Sequence, residues 1–260
     1  MEIILMSLVA GSIGMGAGGL LTALFASKTE KMTSIFLSFA GGVMISIVFL
    51  ELVPESIELA NIPVAVIGII LGALMVLALH YIMDKLSGVG NGSKLHETFA
   101  EFFHSGDVIS EKKSMLRSGL VMLFAIGLHN VPEGLALGAA GHYDASLGLT
   151  LAILIALHNI PEGMAVTAPL VAGGVSKVKS VLLTFLVGSI TVLGAIAGVL
   201  IGGISDLAVA LSFAIAGGAM LYVVVGEILP HSIVVSKDRM PTIFAMVGIV
   251  VGMLFIAIVA

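Results

Sequence analysis

Long apolar segments follow one another along the chain, and they limit its possible folds more than any other feature. A helix needs about 20 apolar residues to cross the hydrocarbon of a bilayer, and eight segments are about that long. They are 3–26, 34–53, 63–84, 118–140, 147–172, 180–202, 208–229 and 241–260. The runs are continuous and do not alternate in ten-residue pieces, which favours helices over barrel strands. The sequence therefore predicts an all-α integral membrane protein with eight transmembrane helices, numbered here as spans 1 to 8.

The composition agrees with a membrane location. Of the 260 residues, 59% are hydrophobic and 10% are charged, whereas a soluble domain must present polar residues to water. Residues 1–260 are expected to form one transmembrane domain, surrounded by lipid, in a multi-pass protein of the inner or plasma membrane. Cysteine is absent, which excludes thiolate metal sites and disulfides. The basic residues form no patch that would bind nucleic acid.

The positions of the basic residues predict the orientation of the chain. All 11 Lys and Arg residues lie in the loops that follow spans 1, 3, 5 and 7. Positively charged loops remain in the cytoplasm, so both termini are predicted to be extracellular or periplasmic. The longest of these loops, 85–117, contains His96 and His104, which could bind metal in a sensing role, although a solvated loop histidine is the commoner explanation.

A weak internal repeat relates the two ends of the chain. AGGVMISIVFLELVPES at 40–56 in span 2 matches AGGAMLYVVVGEILPHS at 216–232 in span 7 without a gap. Spans 3 and 8 share a four-residue glycine spacing, spans 4 and 5 share a polar motif, and spans 1 and 6 share only a glycine-rich character. The glycines that pair spans 3 and 8 are Gly68, Gly72, Gly248 and Gly252. Each pair joins an even span to an odd one, which predicts a 3+2+3 inverted repeat like those of many transporters.

The motif shared by spans 4 and 5 is HNxPEG, and it places ionisable groups near the bilayer centre. His129 and Glu133 are four residues apart, as are His158 and Glu162, so each pair shares a helix face. Burying such carboxylates costs a few kcal/mol, and a divalent cation would offset that cost. Imidazole and carboxylate without thiolate suit Zn²⁺, Fe²⁺, Mn²⁺ or Co²⁺.

Other interpretations of the two motifs remain open at this stage. The prolines could simply kink the helices while the polar residues bond one another, or the same His and Glu residues could relay protons. An intramembrane metal-dependent hydrolase could use Glu133 or Glu162 as its base, although HxxxE is not the HExxH of zinc peptidases. A metal sensor or an open channel is a further alternative. No GxxxxGK[ST] sequence occurs, so ATP-driven pumping is not expected.

An eight-span chain with HNxPEG motifs in spans 4 and 5 resembles the ZIP (Zrt/Irt-like) metal transporters, in particular their bacterial ZupT-type members. The resemblance covers essentially the whole chain. It implies uptake of zinc into the cytoplasm by alternating access, with iron, manganese, cobalt and cadmium as further candidate substrates. It also implies a moving bundle of spans 1, 4, 5 and 6 against a scaffold of spans 2, 3, 7 and 8.

The resemblance further implies a two-metal centre. The primary ligands that it implies are His129, Glu133, His158 and Glu162. Asn130 and Asn159 would lie at the second metal, and the glutamates would bridge the two ions. Thr191 stands where the family usually has a glutamate in span 6, so one well-held ion, a weaker overall affinity or an altered selectivity is expected here. Met44 in span 2 matches a position where the family can supply a soft ligand, although ordinary helix packing explains this residue equally well.

Acidic groups are predicted at both mouths of the pathway. Span 2 ends outside with Glu51 and Glu55, and span 7 ends inside with Glu227 and His231. Such groups would collect and release the cation. The chain is also expected to be able to form a homodimer, with the small residues of spans 3 and 8 as its close contact.

Overall fold

The computed structural model describes residues 2–25, 30–86, 108–203, 205–236 and 238–259. These residues form helices joined by short turns, and no strand occurs among them. We group the helices into segments 1 to 8, one for each predicted span. His96 and His104 lie outside the described residues.

Segments 1 to 3 contain two interruptions of regular α-helix. Segment 1 comprises the α-helix Glu2–Leu8, a π-helical turn Val9–Ile13 and the α-helix Gly14–Phe25. Segment 2 comprises the α-helix Glu30–Ile47, a π-helical turn Val48–Leu52 and the α-helix Val53–Leu59. Segment 3 is the single α-helix Ile62–Leu86.

The next three segments surround the polar motifs. Segment 4 is Val108–Tyr143, segment 5 is Ala145–Ala172, and segment 6 consists of Lys177–Gly188 and Ile190–Gly202. Segment 4 begins well before the predicted start at residue 118, so residues 108–117, predicted as loop, are helical.

The last two segments complete the second half of the repeat. Segment 7 comprises Asp206–Val223, a π-helical turn Val224–Ile228 and Leu229–Ser236, and segment 8 is Met240–Val259.

Six helices within the described residues are long and apolar enough to cross a membrane. They are Glu2–Leu24, Ser34–Leu59, Ala145–Ala172, Lys177–Ile201, Asp206–Val234 and Met240–Ile258. Segment 3 contributes a shorter apolar helix, Ile62–Ala78. Large apolar side chains such as Leu24, Leu74 and Ile258 are exposed, as expected where lipid rather than water surrounds the protein.

The π-helical turns of segments 2 and 7 have a local cause in the sequence. Each turn precedes a proline, Pro54 or Pro230, which has no N–H to donate and whose ring crowds the preceding turn. In each turn, a backbone N–H donates to the carbonyl five residues earlier instead of four. These bonds run from the Val53 N–H to the Val48 carbonyl and from the Leu229 N–H to the Val224 carbonyl. The two turns occupy equivalent positions in the repeat.

Glycines allow several pairs of segments to approach closely, among them 4 with 6, 1 with 5, 2 with 8 and 3 with 7. In the first pair, a Cβ on Gly134 would overlap the Thr191 carbonyl oxygen, and a Cβ on Gly194 would overlap the carbonyl oxygen of Val131. The helices can therefore approach to backbone contact only because both positions are glycine.

The pair of segments 1 and 5 repeats this arrangement. Gly163 lies against the Met15 carbonyl, and Gly18 lies against the carbonyl of Ile160. Since the two HNxPEG motifs are equivalent, Met15 is the repeat equivalent of Thr191. The shift between them is 176 residues, the same shift that relates 40–56 to 216–232.

The glycines of segments 3 and 8 pack within the chain. Gly72 lies against the Ile215 carbonyl and Gly248 against that of Phe39. Since the two carbonyls are 176 residues apart, Gly72 and Gly248 are equivalent positions of the repeat. Gly68 packs on Ala214, and Gly252 packs on Ser46. The homodimer predicted from these four glycines stays a prediction.

Candidate metal centre

Segments 4 and 5 carry the two motifs past each other in the centre of the molecule. Both helices continue through their motif prolines, Pro132 and Pro161. His129, Glu133, His158 and Glu162 are buried to within 2% of complete. Within each motif, the histidine and the glutamate face the same way, as their four-residue spacing predicts. His129 Nε2 lies 3.5 Å from Glu133 Oε1, and His158 Nε2 lies 3.9 Å from Glu162 Oε1.

The shorter contacts cross from one motif to the other. His158 Nε2 lies 2.9 Å from Glu133 Oε1, and His129 Nε2 lies 3.2 Å from Glu162 Oε2. Each carboxylate is therefore shared between both histidines. Ligand atoms of His129, Glu133 and Glu162 all lie within 4.8 Å of one another, which is close enough for one cation to contact all three.

His158 is held in an orientation that suits metal binding. Its Nδ1 donates to the carbonyl of Leu154 at 3.0 Å, because a carbonyl oxygen can only accept. In the neutral imidazole the lone pair is then on Nε2, which faces the carboxylates. A metal-bound histidine is usually fixed in this way by a hydrogen bond from its other nitrogen.

Several buried oxygens of the motifs have no hydrogen-bond partner among the described residues. They are Glu133 Oε2, Glu162 Oε1, Asn130 Oδ1 and Asn159 Oδ1. An unsatisfied buried polar atom costs about 1–3 kcal/mol, and more if it is charged. A cation coordinated by these oxygens would remove that cost, so the donor set fits a divalent ion.

The asparagines are oriented by the outer segments. Asn130 Nδ2 donates to the carbonyl of Val187 at 3.1 Å and to the sulfur of Met15 at 3.5 Å. Asn159 Nδ2 donates to the carbonyl of Ala10 at 3.0 Å. With the amide nitrogens held by segments 1 and 6, the amide oxygens are left available on the other side of each side chain.

The two other predicted ligands differ in their surroundings. Thr191 is completely buried, its Oγ1 has no hydrogen-bond partner among the described residues, and it packs on Gly11. Met44 is also completely buried, but it belongs to the apolar core. Sequence reasoning missed Met15, which touches Asn130, and the only signal for it was the weak similarity of spans 1 and 6.

The four residues predicted for the pathway mouths are not members of this cluster. Glu51 and Glu227 lie in the π-helical turns of segments 2 and 7, and each is only 6% exposed. His231 is also buried, and Glu55 is half-buried. A π-helical turn in an otherwise α-helical segment is frequently found at a functional site.

Comparison with known proteins yields one family. The family model described as ZIP zinc transporter matches residues 90–260. The zinc transporter ZupT of Chlorobaculum parvum is 35% identical over 263 residues, covering 97% of this chain and 94% of that protein. The zinc transporters ZupT of Chlorobium chlorochromatii and Corynebacterium glutamicum are 33% and 34% identical. Each alignment covers 97% of this chain, and 94% and 95% of the respective relative.

Proposed function

This chain belongs to the ZIP zinc transporter family, and on that basis we propose that it carries zinc across the cell membrane into the cytoplasm. The observation that supports this most directly is the buried cluster of two histidines and two glutamates whose carboxylates are shared across segments 4 and 5. Fe²⁺, Mn²⁺, Co²⁺ and Cd²⁺ are further proposed substrates, because imidazole and carboxylate ligands suit several of these ions. Members of this family are transporters, and the hydrolase alternative is not favoured.

We also propose that all eight segments cross the membrane in a 3+2+3 inverted repeat, with both termini outside. The reciprocal glycine contacts support this arrangement, since those of segments 4 and 6 reappear between 1 and 5, and those of 2 and 8 between 7 and 3. The basic residues support the orientation. All 11 lie in loops that an eight-span arrangement puts on one side of the membrane, and positively charged loops remain in the cytoplasm.

The proposed ligands of the transported ion are the two histidines and two glutamates of the motifs. Asn130 and Asn159 add neutral oxygens that lack other partners. Because Thr191 offers only a hydroxyl, we propose that one ion is held strongly and a second only weakly.

Transport is proposed to occur by alternating access. Among the described residues, the glycine contacts fall within two groups of segments, 1, 4, 5 and 6 in one and 2, 3, 7 and 8 in the other. The metal cluster lies within the first group, which would carry the ion as it moves against the second. Glu51 and Glu55 would collect the ion outside, and Glu227 and His231 would receive it inside.

Zinc uptake into proteoliposomes tests this function. We expect rapid uptake by the native protein and at least a tenfold loss in Glu133→Ala and His158→Ala, because each variant removes a ligand from the cluster. Glu58→Gln, an exposed position at the end of segment 2, is the matched control and should retain native uptake. Correctly folded native protein that transports neither zinc, iron nor manganese would overturn the proposal.

A further inference from the structure

Met15 is a completely buried methionine that touches the candidate metal centre from segment 1. Its sulfur lies 3.5 Å from the Nδ2 of Asn130. A thioether is a weak hydrogen-bond acceptor, so this contact satisfies the buried amide poorly. It is, however, a soft ligand for transition-metal ions.

The backbone around Met15 is fixed against the other motif helix. A Cβ on Gly163 would overlap the Met15 carbonyl oxygen, so this position has no space for a side chain. A Cβ on Gly14 would lie only 3.0 Å from the Cβ of Asn159. Gly14 therefore contacts one motif asparagine while the side chain of Met15 contacts the other. The sulfur contacts the amide of Asn130, whose oxygen has no hydrogen-bond partner among the described residues.

The repeat places a second neutral side chain in the equivalent position. Thr191 is related to Met15 by the 176-residue shift, and its buried Oγ1 likewise has no hydrogen-bond partner among the described residues. Segments 1 and 6 thus each have one uncharged side chain with a ligand atom at this position of the repeat. One ligand atom is a soft sulfur and the other is a hard oxygen.

We propose that Met15 is a specificity-determining ligand whose thioether coordinates a metal ion held at the level of Asn130 and Asn159. The side chain has three rotatable bonds, so the sulfur can turn from the amide nitrogen towards an ion beside the amide oxygen. Sulfur ligation favours Cd²⁺ and Zn²⁺ over Mn²⁺, which prefers oxygen ligands. This inference rests on the proposed transport function.

X-ray absorption at the cadmium edge tests the assignment directly on the purified full-length chain loaded with Cd²⁺ in thiol-free buffer. Because the chain has no cysteine, any sulfur bonded to cadmium must come from methionine. We expect a sulfur neighbour in the native protein that is lost in Met15→Leu, a substitution of similar volume. Met122→Leu, which changes another completely buried methionine that lies in the apolar core, should retain that neighbour.

Competition uptake provides the functional measurement. The ratio of Cd²⁺ to Mn²⁺ uptake should fall severalfold in Met15→Leu and remain unchanged in Met122→Leu. Cadmium bound by oxygen and nitrogen alone in the native protein would overturn the assignment, whether or not the variant folds. A sulfur neighbour that is lost in Met44→Leu but not in Met15→Leu would also overturn it. Native protein that binds neither Cd²⁺ nor Zn²⁺ would overturn the proposed transport function as well.

Discussion

At the scale of single residues, we expect Thr191 to limit how much positive charge the centre can hold. Its hydroxyl is neutral and lies in a fully buried position beside segment 1. With Glu133 and Glu162 as the nearby carboxylates, two divalent ions would leave the site with uncompensated positive charge in a region of low dielectric.

Replacing this hydroxyl by a carboxylate should therefore change the metal stoichiometry. We expect Thr191→Glu to raise tightly bound zinc from one ion per chain to two, measured by metal analysis after gel filtration. Thr191→Gln has the same added volume without the charge and should still bind one ion. A folded Thr191→Glu variant that binds a single ion would contradict this account of the site.

The sequence predicted part of this site because helix geometry is local. The i, i+4 spacing was sufficient to place His129 with Glu133 and His158 with Glu162 on common faces. The cross-motif contacts of 2.9 and 3.2 Å depend on how segments 4 and 5 pack, which spacing within one helix does not specify.

Met15 was not predicted for a related reason. The 176-residue shift that relates 40–56 to 216–232 also relates Met15 to Thr191, but spans 1 and 6 share only a glycine-rich character. The contact of the Met15 sulfur with Asn130 depends on how segments 1 and 4 pack, which the sequence of neither segment specifies.

At the scale of helical elements, the glycines set the distances between segments. The sequence predicted glycine-mediated approach between two chains, whereas within this chain Gly68 and Gly72 pack on segment 7 and Gly248 and Gly252 pack on segment 2. Glycine spacing shows that a helix can approach another closely. It does not show whether that helix belongs to the same chain.

The close contact of segments 4 and 6 leads to a stability prediction. A Cβ on Gly134 would overlap the Thr191 carbonyl oxygen, so Gly134→Ala must separate the two helices, and overpacking of this kind typically costs about 1–3 kcal/mol. We expect a lower Tm in detergent, measured by the thermal loss of the monodisperse gel-filtration peak.

Gly226→Ala is the control for the loss of backbone freedom alone. A Cβ on Gly226 would have Tyr222 Cε1, 4.0 Å away, as its nearest neighbour, which is an ordinary contact. Alanine is more favourable in a helix than glycine by up to about 1 kcal/mol. Its Tm should equal or slightly exceed the native value. Equal Tm values for Gly134→Ala and the native protein would show that the segments can separate without cost.

At the scale of the whole molecule, the proposed inverted repeat would bring two antiparallel halves together around the motifs. The hydropathy pattern predicted the helical membrane architecture, because long apolar runs have few other solutions. The relative arrangement of the segments was less accessible, since it depends on glycine contacts between residues far apart in the chain, such as Gly42 with Ala245 and Gly72 with Ile215.

The orientation of the whole chain follows from its charges and can be tested in intact cells. Since the protein has no native cysteine, single cysteines report their own location without a background signal. We expect Glu2→Cys and Asp206→Cys to react with a membrane-impermeant maleimide from outside, and Lys179→Cys and Arg239→Cys to react only after permeabilisation. All four positions are exposed, so burial does not account for a missing reaction. Labelling of Asp206→Cys and Lys179→Cys from the same side would mean that segment 6 does not cross the bilayer, and the 3+2+3 arrangement would then be wrong.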